Sequence, residues 1–333
     1  MEHNVKLTSA EMAVLWTSYM NDSLSMCVFS QFLQHVDDDD IRPVVEHALS
    51  LCQRHIQSYR QLLTKENFPI PVGFTDEDVN LGAPRLYSDA FYLKYIDGMA
   101  MVGMTSASAA LAGATRDDVR EMYTSLLMES VALHNTAIPI LLDKGIYVRA
   151  PIISTPSQVD FVKKQNFLTG FFGERRPLNA IEITNLNINI FRNCLGEALL
   201  LGFAQTAQSK KVRQYMERGK DISAKHIKVF SDILSHDDLP PAVSWATDVS
   251  NSTTHTFSDK LMMFHVAALT GAGVGNYGIA IGTSPRRDLG AAFLRLQGEV
   301  MLYGEDGAEI AIENGWLEQP PMADDRTELA RHK

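Results

Sequence analysis

The sequence predicts an all-α protein made of two tandem four-helix bundles, and three observations support this fold class. The 333-residue chain repeats itself at a spacing of about 170 residues. Each copy contains four long segments in which apolar residues recur at three- and four-residue spacing, as on the buried face of a helix. Gly, Pro and acidic clusters separate these segments, as expected for helix ends.

The repeat extends along the whole unit, which indicates a fused duplication rather than an array of short repeats. A shift of 171 residues aligns the beginning of each copy, and a shift of 170 aligns the remainder after one deletion. The aligned pairs include Leu24/Leu195, Phe32/Phe203, His55/His226, Leu63/Leu234, Asp78/Asp248, Ser88/Ser258, Gly103/Gly273, Glu129/Glu299 and Gly145/Gly315.

Local signals set the ends of the helices. Thr8 and Ser9 offer an N-cap, and Asp117 with Asp118 places acid in a first turn, where the helix dipole favours it. Gly145 and Gly315 stand where a helix C-terminus favours a residue that tolerates positive φ. The predicted helices are 8–36, 41–66, 86–113, 116–144, 178–207, 209–235, 257–283 and 286–314.

Four segments follow from these helices: a first bundle at 1–150, a linker at 151–177, a second bundle at 178–322 and a polar tail at 323–333. In each bundle the connection between the second and third helices is about twenty residues long. A loop of that length is uncommon unless it has to connect distant points of the fold. A crossover from one end of the bundle to the other gives the ferritin-like arrangement.

Bulk properties narrow the function classes. Lys plus Arg number 30 against 40 Asp plus Glu, and no basic block stands out, so nucleic-acid binding is not expected. The uncharged stretch 261–282 is rich in Ala and Gly and carries His265, which favours a buried helix over a membrane span. The three cysteines have no metal-ligand spacing, and we expect buried thiols in a reducing cytoplasm.

Ionisable residues on the apolar stripes of the second bundle are the candidate site. A charged group in such a stripe costs several kcal/mol unless it is paired or bound to a metal. Each helix of the second bundle contributes one ionisable residue. Counting along the antiparallel helices places these four residues at neighbouring levels of the bundle. Two carboxylates and two imidazoles suit Fe, Mn or Zn, or form a metal-free hydrogen-bonded core. The four residues are Glu197, His226, His265 and Glu299.

The first bundle keeps only part of this set. His55 and Glu129 remain in phase and form either a weaker metal site or a structural His–Glu hydrogen bond. Met26 and Tyr95 stand at the other two positions. Nearby Asp22 and His134 are candidate substitutes, so the first site is degraded or rebuilt relative to the second.

The chain resembles an uncharacterised ferritin-like family of spore-forming bacteria that is distantly similar to spore coat protein F. The residues that carry the resemblance are the opening Leu7-Thr8-Ser9-Ala10-Glu11, the repeated His55-Ile56 and His226-Ile227, and the helix ends at Gly145 and Gly315. The resemblance implies the ferritin-like fold and supplies no activity. The Glu-x-x-His motif of di-iron ferritin-like proteins occurs nowhere in the chain.

Three functional hypotheses follow. The first is a protein that binds a transition metal in the core of the second bundle without catalysis. The second is a metal-free structural or interaction protein associated with spores, and the third is a metal-dependent oxidoreductase. The duplication also predicts an intramolecular pseudo-dimer that forms a monomer or small oligomer.

Overall fold

The computed structural model describes residues 5–171, 175–241 and 243–331, and within these residues the regular structure is helical. Eight long helices match the predicted spans to within three residues at each end. The six-residue helix α9 lies inside the predicted polar tail and was not expected. The helices are α1 (Ser9–His35), α2 (Arg42–Lys65), α3 (Asp89–Gly113), α4 (Asp117–Asp143), α5 (Ala180–Thr206), α6 (Lys210–Ser235), α7 (Asp259–Thr283), α8 (Arg287–Glu313) and α9 (Arg326–Arg331).

The helix ends carry the predicted caps. Thr8 accepts a hydrogen bond from the backbone N–H of Glu11, and the Glu11 carboxylate accepts one from the N–H of Thr8. This reciprocal pair satisfies two donors that the first turn would otherwise leave free. Gly145 and Gly315 adopt φ of 67° and 66°, as a helix C-terminus of this type requires.

Two buried carboxylates tie the first helix of each half to the turn before the fourth helix. Glu11 is fully buried and accepts hydrogen bonds from the backbone N–H groups of Thr115 and Arg116. Its counterpart Glu182 is also fully buried and accepts from the N–H of Arg286. Burial alone would raise the pKa of Glu11, but these N–H donors reverse that effect and lower it to about 2.

The two halves share a large hydrophobic core cluster, and a smaller cluster lies within the first half. Phe32 and Tyr92 from the first half and Phe203 and Leu261 from the second belong to the same cluster of buried residues. Helix α1 of the first half contacts α7 of the second. The equivalent pair, α5 of the second half and α3 of the first, is also in contact. The packing therefore relates the halves as an approximate two-fold pair.

The α2–α3 and α6–α7 connections pair with each other under the same approximate symmetry. The N–H of Ser88 donates to the carbonyl of Asp248 at 2.8 Å, and the N–H of Ser258 donates to that of Asp78 at 2.9 Å. The side chains repeat the exchange, because each serine hydroxyl also donates to the same aspartate. Each connection thus binds the equivalent connection of the other half.

Two further sequence expectations concern thiols and membranes. Cys27, Cys52 and Cys194 are all buried and form no disulfide. The uncharged stretch 261–282, which lies in α7, is not a candidate membrane span. Among the described helices, α4 alone is long and apolar enough to cross a membrane, and one such helix is weak evidence.

Candidate functional site

The structure brings His226 and Glu299 of the second half together. His226 is fully buried on α6, and its Nε2 lies 3.1 Å from Glu299 Oε2. Its Nδ1 lies 2.7 Å from the hydroxyl of Tyr277, which also accepts a hydrogen bond from Asn193. Burial lowers the pKa of His226, so the ring is neutral and shares hydrogen bonds on both sides.

Glu197 does not reach this pair. Its Oε2 accepts a hydrogen bond from the hydroxyl of Ser244 at 2.6 Å, in the segment that precedes α7. The sequence placed Glu197 in phase with the buried stripe of its helix. However, the side chain is partly exposed, and Ser244 is its described hydrogen-bond partner.

His265 faces the first half of the chain instead. Its Nε2 lies 2.8 Å from the hydroxyl of Tyr95, and both side chains are buried. Burial lowers the pKa of His265 to about 3, which keeps the ring neutral. Because α7 packs on the other half as well as on its own, the phase of the helix did not determine which neighbour the ring would meet.

The expected convergence of Glu197, His226, His265 and Glu299 is therefore not formed. Two of the four residues touch, and the other two have separate partners. Within residues 5–171, 175–241 and 243–331, no group of three or more His, Cys, Asp and Glu side chains could hold a metal ion.

The first half has the more polar arrangement. His55 Nε2 lies 2.7 Å from Glu129 Oε2, and His55 Nδ1 lies 3.3 Å from Asp22 Oδ2. Arg54 binds the other oxygen of Glu129 at 3.1 Å. Burial favours the neutral ring, but the carboxylates of Asp22 and Glu129 outweigh it and raise the pKa of His55.

Asp22, one candidate substitute ligand, faces His55. His134, the other named substitute, instead has its Nδ1 2.6 Å from the buried carboxylate of Asp97. Burial raises the pKa of Asp97 despite this contact. His134 therefore belongs to a separate pair on α3 and α4.

A cavity of about 190 Å³ opens beside the Asp22–His55–Glu129 group. Its wall is mostly apolar, with Phe29 and Met99 among the lining residues, and it extends to the buried Tyr95–His265 pair. Exposed Ser106 also lines the cavity, which connects it to the surface. Two carboxylates and one imidazole thus lie among the polar residues that line a mostly apolar chamber.

The sequence missed Tyr277 and Asn193 in the second half. Tyr277 stands where the first half has Ala107, and Asn193 stands where it has Asp22. Both replacements are visible where the two copies diverge at equivalent positions. An amide and a phenol are not preferred metal ligands, so the pattern of ionisable residues does not include them.

Comparison with known proteins adds a family and two relatives. The family model described as "Protein of unknown function (DUF3231)" matches residues 1–159 and again residues 166–329. These two matches agree with the internal duplication.

The relatives each correspond to about half of the chain. The uncharacterized protein YvdQ of Bacillus subtilis (strain 168) is 22% identical over 144 residues, which cover 41% of this chain and 84% of YvdQ. The crystal structure of a candidate spore coat protein of Bacillus halodurans C-125 is 19% identical. It covers 46% of this chain and 98% of that protein, with a TM-score of 0.41.

Proposed function

We propose that this chain, which belongs to the DUF3231 family of proteins of unknown function, binds a small organic cation in the cavity of its first half. The ferritin-like arrangement of each half, with its long crossover, is part of this proposal. The role is binding, and the ligand has an apolar body and a positively charged end.

The observation that carries the proposal is the charge of the cavity lining. Asp22 and Glu129 both line the 190 Å³ chamber, and no Lys or Arg of the described residues does. Glu129 already has Arg54 and His55 as partners. The one described ion-pair partner of Asp22 is His55.

Asp22 is therefore the expected contact for the cation. A carboxylate has about four lone-pair positions and donates nothing. His55 meets one oxygen of Asp22 at 3.3 Å, and Asp22 lines the cavity, so the carboxylate keeps acceptor positions for a ligand there. An ammonium group placed there gains a charge-assisted hydrogen bond, which is shorter and stronger than a neutral one.

The size and wall of the cavity select the body of the ligand. An engineered apolar cavity of about 150 Å³ holds a benzene molecule. The chamber beside Asp22 is somewhat larger and is lined by Phe29, Leu51 and Leu126. A single aromatic ring with a one-carbon ammonium arm matches this space, so benzylammonium is a suitable probe.

Two features support binding over catalysis through a nucleophile. Cys52 lines the cavity, but burial raises the pKa of its thiol well above the ordinary value. The thiolate is the reactive form, so this cysteine is inert at neutral pH. His55 has a carboxylate on each side, and both acids favour its protonated form, which cannot accept a proton from a thiol.

Calorimetry with benzylammonium and its neutral analogue benzyl alcohol tests the proposal. A hydrogen bond to a charged group contributes about 1.5–3 kcal/mol, so the cation should bind roughly 10-fold tighter or more. Asp22→Asn keeps the shape and removes the charge, and it should abolish this preference. Asp117→Asn, at a side chain that is 92% exposed on α4, is the matched control and should leave binding unchanged.

Equal affinity for the two compounds would contradict the proposal, as would an unchanged preference in Asp22→Asn. Binding that is lost equally in Asp22→Asn and Asp117→Asn would show that the surface charge of the chain, rather than the cavity, attracts the cation.

A further inference from the structure

A second cavity, of about 100 Å³, lies at the equivalent place in the second half. Most of the positions of α5, α6 and α7 that line it are equivalent to positions of α1, α2 and α3 that line the first cavity. Tyr277 replaces Ala107 and binds His226, and its ring also lines the second cavity. The equivalent lining pairs include Asn21/Arg192, Asp22/Asn193, Cys52/Ser223 and Gly103/Gly273.

The replacements reverse the charge of the lining. Asp22 becomes Asn193, and the neutral Asn21 becomes Arg192. Glu299, the counterpart of Glu129, does not line the second cavity and is held by Lys225 and His226. Among the described residues that line it, Arg192 is thus the one Asp, Glu, Lys or Arg side chain.

Arg192 has no counter-ion in the described part of the chain. It forms no ion pair with a described carboxylate, and its Nε is buried without a hydrogen-bond partner. Burial lowers the pKa of its guanidinium, and no acidic neighbour opposes that effect. A partly buried arginine that lacks a partner is costly, because charged groups inside proteins are normally paired.

We propose that Arg192 binds the carboxylate of a short aliphatic acid in this second cavity. A guanidinium presents N–H donors in a planar fork that matches a carboxylate. Ser223 and Thr270 also line the cavity, and each carries a hydroxyl that can donate to the same anion. Leu195, Val266 and Leu269 supply the apolar wall for the alkyl chain.

The small volume limits the length of the acid. About 100 Å³ corresponds to roughly three water molecules at their share of liquid volume. A four-carbon acid such as butyrate fits this space better than a fatty acid or a nucleotide. Phosphate would fit by size, but the apolar wall favours an anion that carries an alkyl chain.

The test compares butyrate with the neutral butyramide by calorimetry on the full-length protein at matched ionic strength. Butyrate should bind at least about 10-fold tighter than butyramide, because only the anion pairs with the guanidinium. Arg192→Gln should weaken butyrate binding by about 10-fold or more and leave butyramide binding unchanged. Arg120→Gln, at an exposed arginine on α4, is the matched control and should keep the preference.

A second variant keeps the proposal testable if Arg192→Gln does not fold. A Cβ added at Gly273 meets no atom within 4 Å, and Gly273 lines the cavity, so Gly273→Leu fills it without a clash at Cβ. This variant should lose butyrate binding and keep benzylammonium binding in the first cavity. Equal affinity of the wild type for butyrate and butyramide, no detectable binding of butyrate, or retained binding in Gly273→Leu would overturn the proposal.

Discussion

Tyr95 and His265 occupy equivalent positions in the two halves and form a hydrogen bond with each other, with the Tyr95 hydroxyl 2.8 Å from His265 Nε2. The contact therefore lies on the approximate two-fold axis of the duplicated chain. Two identical subunits would place the same residue on both sides of that axis. A fused chain can place a phenol opposite an imidazole, so this pair depends on the divergence of the copies.

From this hydrogen bond we expect Tyr95→Phe to lower the free energy of unfolding. Removal of the hydroxyl leaves the buried His265 ring without this partner, which costs about 1–3 kcal/mol. Tyr92→Phe is the matched control on the same helix, because the Tyr92 hydroxyl is buried and has no hydrogen-bond partner in the described residues. Urea unfolding of both variants measures the difference, and equal effects would contradict this role for the pair.

The lowered pKa of Glu11 predicts that the folding stability of the chain decreases in acid. Its pKa is lowered from 4.5 to about 2 in the folded chain, so the carboxylate contributes stability above about pH 4.5 and loses that contribution as the pH falls towards 2. Glu11→Gln should cost on the order of 2–3 kcal/mol at pH 7 and progressively less at lower pH.

Thermal unfolding between pH 7 and pH 3 measures this effect, with Glu121→Gln on the exposed face of α4 as the control. A difference between wild type and Glu11→Gln that stays constant over this pH range would show that the N–H groups of Thr115 and Arg116 do not depend on a charged partner.

The helices were predictable because their signals are local. The Thr8 cap, the Gly145 turn and the apolar periodicity each act within a few residues, and the eight spans agree closely with the structure. The duplication was equally visible, because the copies retain residues at fixed shifts.

The site was predictable only in part. Helical phase shows that a residue lies on a buried face, and it correctly joined His55 with Glu129 and His226 with Glu299. It does not show which helix that face meets. His265 lies on a face that meets the other half of the chain, so a count along one bundle could not place it.

His55 and His226 occupy equivalent positions, and we expect their pKa values to lie on opposite sides of the ordinary pKa of histidine. Asp22 and Glu129 raise the pKa of His55, whereas burial lowers that of His226. The charged His55 ring therefore contributes stability below about pH 6.5 and loses it as the pH rises through the folded pKa.

Proton NMR of the imidazole signals, assigned with single His→Gln variants, measures both values. Asp22→Asn should lower the pKa of His55 and leave that of His226 unchanged, because Asp22 is near only the first ring. A His55 that titrates below His226 would contradict the description of the first site.

The transition-metal hypothesis has a direct test in elemental analysis. The ring nitrogens of His55 and His226 already face carboxylate or phenol oxygens, and Glu197 and His265 lie apart from them. Protein purified without chelator should therefore contain Fe, Mn and Zn well below one atom per chain. A stoichiometric metal that is lost in the double variant Glu197→Ala, His265→Ala would support the four-residue metal site.

The assembly of the duplicated chain remains a prediction, as do its cytoplasmic or spore location and the absence of nucleic-acid binding. The halves already bury their shared core against each other, so the 37.0 kDa chain should not need a shell of many copies. Light scattering should give the mass of a monomer or small oligomer. The mass of a large cage would contradict the pseudo-dimer account.

The position of a bound cation tests the central claim most directly. In crystals soaked with 4-bromobenzylammonium, the anomalous signal of bromine locates the ring independently of any model of the ligand. The proposal predicts the bromine within the apolar wall near Phe29 and Met99, with the ammonium in hydrogen-bond contact with Asp22. Bromine outside this cavity, or an ammonium group turned away from Asp22, would contradict it.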